Sequence, residues 1–244
     1  MLGSMILVAL LPTLNATYRD KLLETMTNVS HNAFANEPGV HQFALLTPRY
    51  NESDNTSLYS IERYTDNAAF QSHLNTSIVT DMFTWINASN IYQAPPTVYQ
   101  LGPLSSTTEN ASSTSPSPYE FVHPEVAKAE DPFVVVRQVD YAGGAKAANA
   151  SLPYWKEVVA RARGDSEQSG DDEKDKPGSA STGTLAYGVF GSSDQAGRIF
   201  VLAVYVDETA FRQNTAAEGI EEGIEVSQPR FLKLRGGFLY KPPA

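Results

Sequence analysis

With four histidines and no cysteine in the chain, proton transfer near neutral pH falls to His31, His41, His73 and His123. His73 is the strongest candidate base, because it shares a helical stripe with Phe70, Leu74, Ser77 and Ile78 and should face inward. The competing reading is a hydrogen-bonded core histidine. Glu62 and Tyr64 alternate with Ser60 on one face of a predicted strand. They either orient His73, hold a substrate hydroxyl, or form a structural pair. Phe70 is a candidate substrate contact on the His73 stripe. Trp85 lies fifteen residues beyond Phe70, late on the same predicted helix or in the loop after it, and either walls a pocket or packs the core. His41, on another predicted strand, is a weaker acid–base or substrate-binding candidate. Asn15, at the end of the first strand, either donates to a substrate oxygen or caps the next helix. His31 and His123 read as surface residues.

Other chemistries lack their residues. Without thiolates, an i, i+4 histidine pair or facial-triad spacing, the sequence predicts no metal site. No G-x-G-x-x-G follows a predicted strand and no Walker loop occurs, so no nucleotide cofactor is expected. A net charge of −10 argues against nucleic-acid and anionic-membrane partners. The apolar run at residues 5–11 is too short to span a bilayer. It also lacks the basic flank of a signal peptide, so a cytoplasmic protein is expected. Asn-x-Ser/Thr sequons at Asn15, Asn28, Asn51, Asn55, Asn75, Asn87, Asn110 and Asn149 leave secretion open.

The elements that must position these residues fall into two halves. The 244 residues suit two domains. We read one at 5–102, a Ser/Thr/Pro-rich linker at 103–131, and a second domain at 132–241 with an acidic disordered insertion at 164–182. The first half predicts a strand at 6–11, a helix opened by a capping box at 17–20, and strands at 40–46 and 58–64. A helix from Asp66 and a strand at 97–101 complete it. The second half repeats the order, with strands at 133–139, 185–190, 199–206 and 230–234 and helices at 152–163 and 208–222. Residues 61–70 align with 202–211 at one offset, matching Tyr, Asp, Ala and Phe. This is a duplicated βαββαβ unit. The expected fold is α+β, with two tandem ferredoxin-like domains forming an α+β barrel within one chain, and the expected state is a monomer.

The motifs Asn36-Glu37-Pro38-Gly39-Val40 and Glu62-x-Tyr64-x-Asp66-x-x-Ala69-Phe70-x-x-His73-Leu74 resemble the antibiotic biosynthesis monooxygenase (ABM) family. Tyr64 stands where that family most often has Trp. The resemblance is close over residues 5–101 and weak over 132–240, where Ala203 replaces Glu62 and Asn214 replaces His73. It implies a cofactor-independent monooxygenase that uses O₂ on a small hydrophobic metabolite, either an aromatic polyketide or a lipid-derived acid such as a jasmonate. The first domain would hold the pocket, with a dry wall, a base and a group that stabilises the substrate anion. The alternatives are cyclase, decarboxylase or isomerase chemistry on a similar metabolite, or a protein that only binds a small ligand.

Overall fold

A computed structural model of the protein describes residues 4–50, 54–104, 117–164, 183–215, 224–226 and 228–242. Most of the Ser/Thr/Pro-rich stretch and most of the acidic block lie outside the described residues. Two compact units emerge. The first comprises described residues of Met1–Pro103, Ser192–Gln195 and Arg230–Ala244, and the second those of Leu104–Gly191 and Ala196–Pro229.

The first unit runs β1 (Met5–Pro12), α1 (Ala16–Asn36), β2 (Val40–Pro48) and β3 (Ser57–Tyr64). Then come α2 (Asn67–Leu74), α3 (Ser77–Ser89) and β4 (Thr97–Pro103). Its antiparallel sheet has the order β4-β1-β3-β2, as a βαββαβ unit requires. Nearly all of β1 is apolar because it is the strand paired on both sides by β3 and β4. Its odd positions Met5, Ala9 and Leu11 join a core with Leu22, Met26, Val29 and Ala33 of α1. Helix α1 begins at the Asn15 cap, whose side chain accepts from the Tyr18 N–H. The capping box expected at residues 17–20 therefore does not open it, and Asp20 pairs with Arg19 instead.

A single helix after Asp66 would carry Trp85, but the chain breaks at Asn75–Thr76. The Asn75 side chain donates to the Gln71 carbonyl, and the Thr76 hydroxyl donates to the His73 carbonyl. These side chains satisfy the carbonyls that a continuing helix would use. Trp85 consequently sits on α3, a separate helix.

The second unit contains β6 (Phe133–Tyr141), α4 (Gly144–Ala150), α5 (Leu152–Arg163), β7 (Thr184–Ser192), β8 (Arg198–Tyr205), α6 (Glu208–Thr215) and β9 (Ile224–Val226). Its sheet order, β9-β6-β8-β7, repeats that of the first unit. The sequence reading missed α4. Pro153 lies in the first turn of α5, where its missing N–H is harmless, so a new helix starts there.

Each unit also gains a strand that the reading by halves misplaces. Strand β5 (Glu120–Val122), within the expected linker, pairs with β7. Strand β10 (Arg230–Phe238), expected to close the second half, pairs antiparallel with β2 and belongs to the first unit. Alternation identifies a strand but not its neighbour, which depends on which edge has unpaired N–H and C=O groups. Among the described residues no helix is long and apolar enough to cross a membrane.

Candidate active site in the first unit

The first unit encloses a cavity of about 550 Å³ between its sheet and its helices. Leu7, Ala9 and Leu11 of β1, Phe43 of β2, and Ser60 and Glu62 of β3 form the floor. Leu22 and Met26 of α1, Phe70, His73 and Leu74 of α2, and Val79, Met82 and Ile86 of α3 cover it. The floor follows from register. Ala9 lies opposite Ser60, Leu7 opposite Glu62, and Phe43 opposite Glu62, so all face the same side of the pleat. The lining residues Phe83, Asn87, Asn90, Pro96 and Val98 are exposed and mark where the cavity meets solvent.

Two polar groups enter this apolar wall. His73 is 3% exposed, and its Nδ1 lies 2.8 Å from Oε2 of Glu37. A carboxylate only accepts, so Nδ1 carries a proton, and Nε2 is the ring nitrogen left for a further partner. Nε2 has no hydrogen-bond partner among the described residues. The imidazole is packed between Phe43 and Tyr64, with ring centroids at 5.6 and 5.5 Å. Glu37 follows the last residue of α1, and its other carboxylate oxygen accepts from Asn32 at 3.0 Å. Lys241 secures the backbone there, donating from Nζ to the carbonyls of Ala33 and Glu37 at 3.0 and 2.9 Å.

The second polar group is Glu62. Its Oε1 accepts from the Ser60 hydroxyl at 2.9 Å and its Oε2 from the Tyr64 hydroxyl at 2.7 Å. Burial pushes the Tyr64 phenol far above its usual range, and the charge and hydrogen bond of Glu62 push it further. Tyr64 is therefore a fixed donor rather than an acid–base group. It stands edge-on to Phe70 at 5.2 Å, which keeps Phe70 on the cavity wall.

The structure thus brings together His73, Glu62 and Phe70 at the cavity, with Tyr64 behind them. It does not bring the other three expected residues there. Asn15 is exposed and its side-chain oxygen is used in capping α1. His41 is exposed on β2, and its carbonyl accepts from the Lys241 backbone N–H at 3.0 Å. Burial, then the charges of Arg63 and Lys241, lower its pKa. Trp85 is half-buried against the core but does not line the cavity.

Sequence reasoning missed Glu37, which reads as part of a helix stop although it lies inside the Asn36–Val40 motif. It also passed over Tyr92, a cavity residue whose phenol burial pushes up to about 12. The strand alternation did place Ser60 beside Glu62. Among the described residues no group of three His, Asp or Glu side chains could hold a metal ion.

Residues 5–85 match the family model described as antibiotic biosynthesis monooxygenase. A candidate monooxygenase from Lactobacillus acidophilus NCFM superposes with a TM-score of 0.63 at 12% identity, covering 98% of this chain and 99% of its own. Another, from Fusobacterium nucleatum subsp. nucleatum ATCC 25586, gives 0.59 at 15% identity and covers 99% of each chain. An anthrone oxidase-like protein gives 0.52 at 10% identity, covering 95% of this chain and 90% of its own. At such identities the likeness is one of fold. No curated protein matches the chain.

Proposed function

We propose, for a chain whose residues 5–85 match the antibiotic biosynthesis monooxygenase family model, that the first unit is a monooxygenase. It oxidises a small hydrophobic metabolite, with a phenolic polyketide as the leading class, and uses O₂ without metal or flavin. One observation carries the reading: a buried histidine hydrogen-bonded through Nδ1 to Glu37 stands on the wall of an apolar cavity large enough for an aromatic substrate. The candidate monooxygenases and the anthrone oxidase-like protein that share the fold support it.

The chemistry asks little of the protein. His73 Nε2 takes a proton from an activated CH₂ of the substrate, and Glu37 offsets the imidazolium that forms. The resulting carbanion passes one electron to O₂, and the two radicals combine into a peroxide at that carbon. Loss of water leaves a carbonyl, so CH₂ and O₂ become C=O and H₂O. The apolar walls keep bulk water from quenching the carbanion.

The test is oxygen uptake by metal-stripped protein with a panel of phenolic and oxylipin compounds. His73→Ala should lower uptake by about a hundredfold or more, while Asn214→Ala, its counterpart in the second unit, should leave it unchanged. Uptake indifferent to His73 would overturn the site. Bound substrate that exchanges protons without consuming O₂ would replace the reading with isomerase or cyclase chemistry.

A further inference from the structure

We propose that Glu62 makes the cavity a charge filter, which admits neutral aromatic alcohols and turns away carboxylic acids of the same size. The inference takes from the proposed function only the place where substrate sits. It concerns what binds, not what is done to it.

The residues lining the cavity include neither Lys nor Arg. Of its titratable members, Tyr92 stays a neutral phenol, and any charge on His73 is matched by Glu37 behind it. Glu62 is left as the net charge on the wall. It occupies the middle of the floor, opposite Leu7 on one side and Phe43 on the other, both of which line the same space.

Its two supports cannot discharge it. Ser60 and Tyr64 are hydroxyl donors, one to each carboxylate oxygen, which hold the ionised form in place without supplying a cation. Glu62 has no cationic partner among the described residues. A carboxylate has about four acceptor sites, so it can take a further hydrogen bond from a ligand hydroxyl. A carboxylate ligand would instead place two like charges a short distance apart, where apolar walls screen them poorly. Phe43, Phe70 and Phe83 supply the surface against which an aromatic ring would pack. Between a phenol and a lipid-derived acid, the wall therefore favours the phenol.

The experiment compares 1-naphthol with 1-naphthoate at pH 7, read by calorimetric titration. The wild-type protein should bind naphthol about tenfold more tightly or better, as expected for an uncompensated like-charge pair. Glu62→Gln should collapse that ratio, chiefly by strengthening naphthoate binding, whereas Ser60→Ala, which keeps the charge, should preserve it. Equal binding of the two ligands by wild-type protein overturns the proposal without need of a variant. So does a ratio that survives Glu62→Gln, one that Ser60→Ala abolishes as fully, or a failure of both ligands to bind. Phenols that bind selectively yet are never oxidised would sink the monooxygenase reading and leave the filter standing.

Discussion

The two units are built on one plan, and their differences fall on the groups that could do chemistry. Asp66 caps α2 by accepting from the Ala69 N–H at 2.8 Å, and Asp207 accepts from the Ala210 N–H at 2.9 Å. Tyr64 meets Phe70 edge-on at 5.2 Å, and Tyr205 meets Phe211 in the same manner at 5.6 Å. Gly39 and Gly183 hold matching places before the second strand. At each a Cβ would come within 2.6 Å of an alanine Cβ, on Ala69 and Ala210 respectively. Helix and strand can approach so closely only because that atom is missing.

The polar positions diverge. Ala203 is buried where the first unit has Glu62, and Asn214 bonds the Ala210 carbonyl of its own helix where the first has His73. Two residues before Gly183 the sequence has Ser181, where Glu37 precedes Gly39. Packing constraints are thus separable from site constraints: a duplicate can retain the Asp cap, the Tyr–Phe ring contact and the close glycine while losing the base, its partner and the carboxylate of the floor.

Experiments can break this comparison, and the harshest acts on the added strands. Deleting residues 230–244 removes β10 and exposes the full β2 edge, so the protein should become largely insoluble. Deleting residues 120–122 removes only the three-residue β5 and should be much milder. Sedimentation of soluble fractions decides, and comparable yields would show that β10 is dispensable. Next in size, Ala203→Glu would restore the carboxylate to the second unit. At 2% exposure the new charge should cost about 3 kcal/mol or more. A thermal melt matching wild type would mean that the second unit still holds a cavity there.

The smallest effect is a pH limb belonging to the first unit. Burial raises Tyr92 from about 10 unfolded to about 12 folded. A raised acid pKa means stability that is complete below pH 10 and lost as pH climbs toward 12, because the unfolded chain ionises first. Denaturant midpoints should therefore fall less steeply over that range in Tyr92→Phe than in wild type. Parallel slopes would remove Tyr92 from the account.

Much of this plan was legible in the sequence, and what was not has a physical cause. Alternation in residues 58–64 put Ser60, Glu62 and Tyr64 on one face, where they form their hydrogen bonds. The helical stripe turned His73 inward as expected. Its partner Glu37 was hidden, because residues 36 apart in the chain meet only after α1 and α2 pack on the same sheet. Asn15 and Trp85 show the opposite failure. An amide at a helix start and an indole on an amphipathic helix each have an ordinary structural use, and here they serve it. His41 shows that residue type alone says little, because its strand position left it exposed.

The placement of β10 also bears on synthesis. Strand β2 leaves the ribosome early, but the strand that covers its edge follows roughly 190 residues later, a delay of roughly ten to forty seconds at ordinary translation rates. Throughout that interval the nascent first unit carries an open, strongly apolar edge containing Phe43, Ala44, Leu45 and Leu46. Its growing chain should thus depend on chaperone cover, or on slow folding of β2, until β10 is made.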